Sequence, residues 1–215
     1  MPSLSFRSYL SLRIPIFVTS KPINFIPFIM DIEQILSAIY PLPEPSLTAL
    51  KSLCSELHLP KGQILLEADR IEHNIYFIKQ GVVRAFSSHE EGEITFWFGE
   101  EGSTILSMNN YVESRKSYES IELLVDCELY QVNFHELSAY YLTDIHIANF
   151  GRKLAEKELM RVEKRIISRD LLSATERYKD LITNYPTIIQ RVPLKHIASY
   201  LGITQVSLSR IRKDV

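Results

Sequence analysis

Hydrophobic and polar positions divide the chain into segments of different period. Between residues 31 and 57 apolar side chains recur at helical spacing, and prolines at 41, 43 and 45 predict a break between two short helices. From residue 60 the apolar stretches become short, rich in β-branched and aromatic residues, and separated by glycines: GQILLE, NIYFIKQGVVRAFSS, EITFWFG and ESIELLVDCELYQV. Short strands at such close spacing predict an all-β barrel or roll.

The period becomes helical again between about residues 134 and 168. A single narrow stripe runs along this segment at alternating spacings of four and three, and its members are Ala148, Arg152, Ala155, Leu159, Val162 and Ile166. Such a stripe packs either on the β-roll or against the same stripe of a second chain. Its length and narrowness favour the second arrangement, so we predict that these six residues form a homodimer interface.

A further helix is predicted where Ser173 is followed three residues later by Glu176, the pattern of a capping box. Pro186 is expected to end this helix. The segment PTIIQRVP then has the character of a short extended connection that leads into the last part of the chain.

The last 24 residues, VPLKHIASYLGITQVSLSRIRKDV, have the pattern of two short helices joined by a tight turn. Ala198 is small where two helices would cross closely, and Gly202 can adopt the positive φ of the turn. Thr204 is a good N-cap for the second helix. The inward positions are apolar: Ile197, Leu201, Ile203, Leu208 and Ile211. The pattern indicates a helix-turn-helix, which offers its second helix to the major groove of DNA.

The outward face of the second helix combines side chains that read bases with side chains that bind phosphates. Arginine can contact guanine and glutamine can contact adenine, each through two hydrogen bonds, while an aliphatic group contacts the thymine methyl. The predicted base-contacting residues are Gln205, Val206, Ser209 and Arg210. The predicted phosphate-contacting residues are Lys195, His196, Thr204, Ser207, Arg212 and Lys213.

The charge is unevenly distributed along the chain, although the overall formal charge is only −2. Residues 1–150 contain ten Lys and Arg against 19 Asp and Glu, whereas residues 151–215 contain 14 against seven. This asymmetry predicts two domains with different tasks, of which the basic one faces an anion.

The sequence offers little support for enzyme or metal chemistry. The six histidines, at positions 58, 73, 89, 135, 146 and 196, are scattered, which argues against a cupin-type metal enzyme built on the β-roll. Cys54 and Cys127 form neither a disulfide framework nor a CxxC pair. We predict no catalytic residue, no metal and no cofactor.

The first 29 residues are apolar in places but are interrupted by Arg7, Arg13, Lys21 and four prolines. They contain neither the run of about 20 apolar residues that spans a bilayer nor the order of a secretory signal. Met30 directly precedes an amphipathic helix, so we expect it to be the true start, and residues 1–29 to be a translation artefact or a disordered tail. The predicted domains are a leader (1–29), a β-roll sensor (30–143), a dimerisation helix (144–169) and a helix-turn-helix domain (170–215).

The β-roll, the long helix, SATERYKDL and VPLKHIASYLGIT followed by LSRIRK together resemble a Crp–Fnr family transcription regulator. The resemblance covers residues 31–215, and its specific part is C-terminal. It implies an α+β fold with a double-stranded β-roll of the cyclic-nucleotide-binding type, a long dimerisation helix and a winged-type helix-turn-helix. It also implies a cytoplasmic homodimer that binds double-stranded DNA, with RNA polymerase as a further candidate partner and no membrane.

The sequence departs from this family where a cyclic nucleotide would bind. Members that bind cyclic AMP carry an Arg-Ser pair for the cyclic phosphate, and here Ser117 and Tyr118 stand in its place. Arg115 and Lys116 are the available substitutes. The carboxylates at positions 100, 101, 113 and 119 would repel an anion. Only Cys54 lies in the N-terminal region, which excludes the iron–sulfur cluster found in part of the family.

The predicted function is therefore that of a DNA-binding transcription regulator, a homodimer that reads an inverted-repeat operator. Its β-roll senses an unknown small-molecule effector, and we expect that effector not to be cyclic AMP. The alternative is a dimeric ligand-sensing or scaffold module that has lost DNA binding.

Overall fold

The computed structural model describes residues 29–90 and 92–215. The predicted leader lies outside the described residues except for Ile29. Two short helices come first, α1 (Ile32–Ile39) and α2 (Glu44–Ser52). Asp31 begins α1 through a capping box with Gln34, and Pro43 precedes α2. The predicted pair of helices separated by prolines is confirmed.

The strands of the described residues form two four-stranded antiparallel sheets. They are β1 (Cys54–Leu59), β2 (Ile64–Leu66), β3 (Asn74–Gln80), β4 (Val83–His89), β5 (Gly92–Gly99), β6 (Thr104–Ile105), β7 (Ser120–Leu123) and β8 (Cys127–Asn133). The strand order is β1-β8-β3-β6 in one sheet and β2-β7-β4-β5 in the other. A short helix, α3 (Met108–Glu113), lies between β6 and β7. The predicted β-roll is confirmed.

Strand β1 differs from the prediction, because the helical spacing in the sequence extends to about residue 57 whereas the strand begins at Cys54. Residues 54–59 pair with β8 along their whole length, from Cys54 opposite Val132 to Leu59 opposite Cys127. The hydrogen bonds of this pairing override a local spacing that is compatible with a helix.

Strand β5 is the outer strand of its sheet, so one side of its backbone has no strand partner. Its pairing with β4 also shifts register, because Phe86 lies opposite Thr95 while Ala85 lies opposite Trp97. Phe96 is the extra residue of this β-bulge.

Six helices complete the described chain. They are α4 (Phe134–Tyr140), α5 (Ile145–Leu171), α6 (Ala174–Asn184), α7 (Pro186–Arg191), α8 (Leu194–Leu201) and α9 (Gln205–Asp214). The predicted capping box at the start of α6 is present, with Ser173 and Glu176 bonded reciprocally. Helix α7 replaces the predicted extended piece. Pro186 occupies its first turn, where a missing backbone N–H leaves no hydrogen bond unmade.

Residues 170–215 contain only helices. The two strands of a wing, which the resemblance implied for the winged-type helix-turn-helix, are absent from this part of the chain.

Buried apolar side chains of the described residues form three clusters. The first joins the N-terminal helices to β3, β8 and α5, and Phe77 and Phe150 are its largest members. The second fills the β-roll and includes Ile78, Leu123 and Leu129. The third joins Val82 and Leu124 of the roll to the buried side chains of α6–α9: Tyr178, Leu181, Ile188, Val192, Ile197, Ala198, Leu201 and Leu208. The C-terminal helices therefore share a core with the roll.

The long helix α5 has two different apolar faces. Ile147, Phe150, Gly151 and Leu154 are buried against the rest of the chain. Leu159, Val162 and Ile166 are 69%, 52% and 55% exposed. Of the other predicted interface residues, Ala148 and Ala155 are half-buried and Arg152 is exposed. The C-terminal half of the predicted stripe is thus not packed on the roll. No helix within the described ranges is long and apolar enough to cross a membrane.

Replacing Phe150 with alanine should destabilise the protein strongly, since the ring is fully buried between α5 and the roll. We expect Phe150→Ala to lower the free energy of unfolding by about 3–5 kcal/mol in urea titrations. The exposed Leu142 offers a control, and Leu142→Ala should change the stability by less than about 0.5 kcal/mol. Equal stability of the two variants would contradict the packing described.

Candidate nucleic-acid interface

Helices α8 and α9 are joined by the tight turn that the sequence predicts. Gly202 ends α8 with φ of +67°, in the left-handed region that glycine adopts without steric cost. The Ile203 N–H donates to the Ala198 carbonyl at 3.0 Å, which closes the turn. The Thr204 side chain accepts a hydrogen bond from the Ser207 N–H at 3.1 Å and begins α9. The roles assigned to Gly202 and Thr204 from sequence are confirmed.

The four predicted base-contacting residues all lie on the solvent side of α9. Gln205, Val206, Ser209 and Arg210 are exposed, whereas Leu208 is buried and anchors the helix to α8. Their positions occupy two adjacent turns, so the structure brings them onto one face.

The predicted phosphate-contacting residues divide into three groups. Lys195, Arg212 and Lys213 are exposed at the edges of this face. The hydroxyl groups of Thr204 and Ser207 lie 3.0 Å apart and bond to each other within the N-cap. His196 is only 5% exposed, so its side chain is not available to a phosphate group. We withdraw His196 from the predicted phosphate contacts, because its side of α8 is the side that packs on the β-roll.

His196 lies near the buried Arg84 of the β-roll and the two carboxylates that pair with it. The guanidinium of Arg84 donates to Glu122 and to Glu93, each at 2.6 Å, and stacks on the Phe86 ring at 4.1 Å. Burial, with the nearby charge of Arg84, lowers the pKa of His196 to about 4. A neutral imidazole therefore faces the roll at neutral pH.

Helix α7 is held to the loop after β5 by acidic side chains. Arg191 and Glu101 form a buried ion pair at 2.8 Å, and Glu101 also accepts the Gly81 N–H at 2.8 Å. Thr187 bonds to Glu100. The sequence predicts that Glu100 and Glu101 repel an anionic ligand. In the structure they bind the C-terminal helices.

Three side chains that the sequence analysis missed hold α8 in place: Arg165, Arg177 and Ser199. Arg177 donates to the carbonyl groups of Leu172 and Leu201, at 2.6 and 2.8 Å, and so joins the end of α5 to the end of α8. Ser199 and Arg165 bond to the backbone of β5. One sequence signal was available for Arg165, since no acidic residue lies three or four positions from it on α5.

The segment in which the resemblance led us to expect an Arg-Ser pair, residues 115–118, contains no buried cation. The Ser117 hydroxyl lies 3.0 Å from the carbonyl oxygens of Glu67 and Glu119. Arg115, one of the two candidate substitutes, is exposed and paired with Glu113 at 3.1 Å, and Lys116 is exposed as well. The Glu119 carboxyl group is buried, and burial raises its pKa.

Within residues 29–90 and 92–215, no group of three or more His, Cys, Asp or Glu side chains is placed to hold a metal ion.

The chain is similar to known proteins in part of its sequence and in its fold. Residues 56–144 match the family model of the cyclic nucleotide-binding domain. No curated protein matches the chain. Among solved structures, a crp/fnr family regulator from Eubacterium rectale is 18% identical, with a TM-score of 0.65 over 82% of this chain and 86% of that chain.

Two further solved structures are similar. FixK2 from Bradyrhizobium japonicum is 18% identical, with a TM-score of 0.64 over 75% of this chain and 83% of its own. CLP from Xanthomonas campestris, a c-di-GMP responsive global regulator, is 15% identical, with a TM-score of 0.63 over 80% and 91%. Residues 56–144 therefore resemble a cyclic nucleotide-binding domain, and the chain has the fold of these Crp/Fnr family regulators, as the resemblance predicted.

Lowering the pH should reduce the free energy of unfolding, because His196 resists protonation in the folded protein. The folded-state pKa of about 4 lies below the usual value of about 6.5, so between these pH values the unfolded chain binds a proton that the folded chain does not. The free energy of unfolding is therefore highest above about pH 6.5 and falls as the pH drops towards 4. We expect the free energy of unfolding of the wild type to fall relative to His196→Gln by up to about 1.4 kcal/mol per pH unit in this range. Urea titrations of both proteins between pH 4 and pH 7 measure this difference, and parallel pH profiles would contradict it.

Proposed function

We propose that the protein is a transcription regulator that binds double-stranded DNA as a homodimer. The observation that carries this proposal is the exposed face of α9, on which Gln205, Val206, Ser209 and Arg210 lie together while α8 is anchored. In a helix-turn-helix this is the face that enters the major groove.

The charge of the C-terminal region supports the same conclusion. Lys195, Arg212 and Lys213 are exposed beside the reading face, and the first turn of α9 contains no acidic residue. Phosphate groups accept hydrogen bonds from lysine and arginine and from helix N-termini. The arrangement therefore offers phosphate contacts on both sides of the residues that would read bases.

The exposed stripe on α5 supports dimerisation. Leu159, Val162 and Ile166 repeat at spacings of three and four, which is the spacing that pairs two helices through a narrow seam. Ile145, at the other end of the helix, is also exposed and continues the same spacing. Two chains joined along this seam would present two reading helices, and a symmetric dimer reads an inverted repeat with half-sites about 34 Å apart.

We further propose that the effector, if the β-roll binds one, is not cyclic AMP. The exposed positions of Arg115 and Lys116 and the buried carboxyl group of Glu119 support this proposal, because a buried cyclic phosphate requires a cation or a set of backbone N–H groups. We place the protein in the cytoplasm, with DNA as its partner and no enzymatic activity, and RNA polymerase remains a candidate second partner.

Removing one base-contacting side chain should weaken binding and relax the choice of base. We expect Arg210→Ala to weaken binding to the preferred inverted repeat by about 10- to 100-fold in fluorescence anisotropy titrations, with less discrimination at one position of each half-site. Lys61→Ala removes the same charge from the β-roll, far from α9 in sequence and exposed, and should bind as the wild type does. Equal affinity of both variants would contradict the proposed reading face.

The salt dependence of DNA affinity distinguishes a transcription regulator from a scaffold module that does not bind DNA. A regulator that contacts several phosphates should lose orders of magnitude in affinity as the salt concentration rises from about 50 to about 200 mM. A scaffold module would show no DNA binding to titrate.

A charge in the seam should separate the two chains. We expect Ile166→Glu to give monomers in sedimentation velocity experiments, since each dimer would bury two carboxylates that face each other across the seam. Met160→Glu is the matched control, because Met160 is exposed on the same helix but lies off the predicted stripe. Monomers of both variants, or dimers of both, would contradict the proposed seam.

A further inference from the structure

The outer edge of strand β5 is buried at Thr95, although Glu93 and Ile94 just before it are exposed. Thr95, in the middle of this edge, has no exposed surface, and its N–H and carbonyl group both point away from the partner strand β4. The Glu93 carbonyl group, two residues earlier, points the same way. Buried backbone groups are costly unless they are hydrogen-bonded, so this edge needs partners that are not a strand.

Side chains from two helices supply these partners. The Thr95 N–H donates to the Ser199 hydroxyl at 2.9 Å, and that hydroxyl donates to the Glu93 carbonyl group at 2.9 Å. Arg165 donates to the Thr95 carbonyl group at 3.3 Å. The serine of α8 and the arginine of α5 thus complete the hydrogen bonding that a neighbouring strand would otherwise provide.

The same arginine also holds the end of α8. Arg165 lies 4.1 Å above the Tyr200 ring and donates to the Tyr200 carbonyl group at 3.4 Å. Phe98 of β5 also packs against Tyr200, with the two ring centres 5.2 Å apart. Since Tyr200 lies two residues before the Gly202 turn, its position fixes where α9 begins. The long helix α5, the outer strand β5 and the C-terminal helix pair α8–α9, which we call the head, therefore meet at Arg165.

We propose that Ser199 and Arg165 are positioning residues that couple the orientation of the recognition helix α9 to strand β5. Their bonds to the edge of β5 hold the head at one angle to α5, so a shift of this strand is transmitted to the head. The consequence for DNA rests on the proposed function.

Docking of the head on β5 should strengthen binding to an inverted repeat. The reading face of α9 remains exposed while Ser199 and Arg165 are engaged, so docking does not block DNA. Two heads that are held at fixed angles lose less conformational freedom on binding an inverted repeat than two free heads do. Releasing the heads should therefore weaken binding to the repeat, and it should leave binding to a single half-site unchanged.

Amide hydrogen exchange tests the coupling without DNA. In Ser199→Ala the Thr95 N–H loses its acceptor, and we expect it to exchange at least tenfold faster while the amides of β3 and β8 remain protected. Ser55→Ala is the control, since Ser55 is an exposed serine of β1, and it should leave the exchange of Thr95 unchanged. Unchanged exchange of Thr95 in Ser199→Ala would overturn the inference.

DNA titrations test the consequence. We expect Ser199→Ala and Arg165→Ala to bind the inverted repeat roughly tenfold more weakly than the wild type, with single half-site affinity unchanged. Arg165→Lys, which keeps the charge but loses the planar fork, should fall between. Lys164→Ala removes an exposed charge from the neighbouring position of α5 and serves as the control. Unchanged or tighter binding to the repeat, or an equal loss on the single half-site, would overturn the inference.

The two experiments separate this inference from the proposed function. If the wild type binds no DNA, the proposed function fails, and the exchange of Thr95 still decides whether Ser199 holds the edge of β5.

Discussion

The outer edge of strand β5 is buried at Thr95, and this is the constraint on which the arrangement of the C-terminal half depends. A strand edge that is removed from water must find hydrogen-bond partners, and here they are Ser199 and Arg165. Because one comes from the head and the other from the long helix, satisfying the edge also fixes how these elements meet. The apolar contacts of Val82 and Leu124 with the C-terminal helices add the burial that stabilises this arrangement.

The uneven charge of the chain has a structural as well as a functional meaning. Acidic side chains of the roll, Glu101 and Glu100, bind the C-terminal region through Arg191 and Thr187. One cation of the basic half, Arg191, is thus paired with a carboxylate of the acidic half. The outward side keeps exposed cations at Lys195, Arg210, Arg212 and Lys213.

The parts of the fold that depend on local chemistry could be predicted from the sequence. Gly202, Thr204 and the capping box at Ser173 act within a few residues, and the structure has each where it was expected. The parts that depend on distant contacts could not be predicted. Strand β1 exists because of its pairing with β8, and His196 is buried because α8 turns that side towards the roll. The role of Ser199 required knowing that β5 is an outer strand, which no spacing in the sequence reveals.

If two anchored heads read an inverted repeat, selection of DNA by the full chain from a randomised duplex pool, without added ligand, should reveal it. We expect enrichment of an inverted repeat whose half-sites lie about one helical turn apart. Enrichment of no sequence would contradict it, as would enrichment of a single half-site without its symmetric partner.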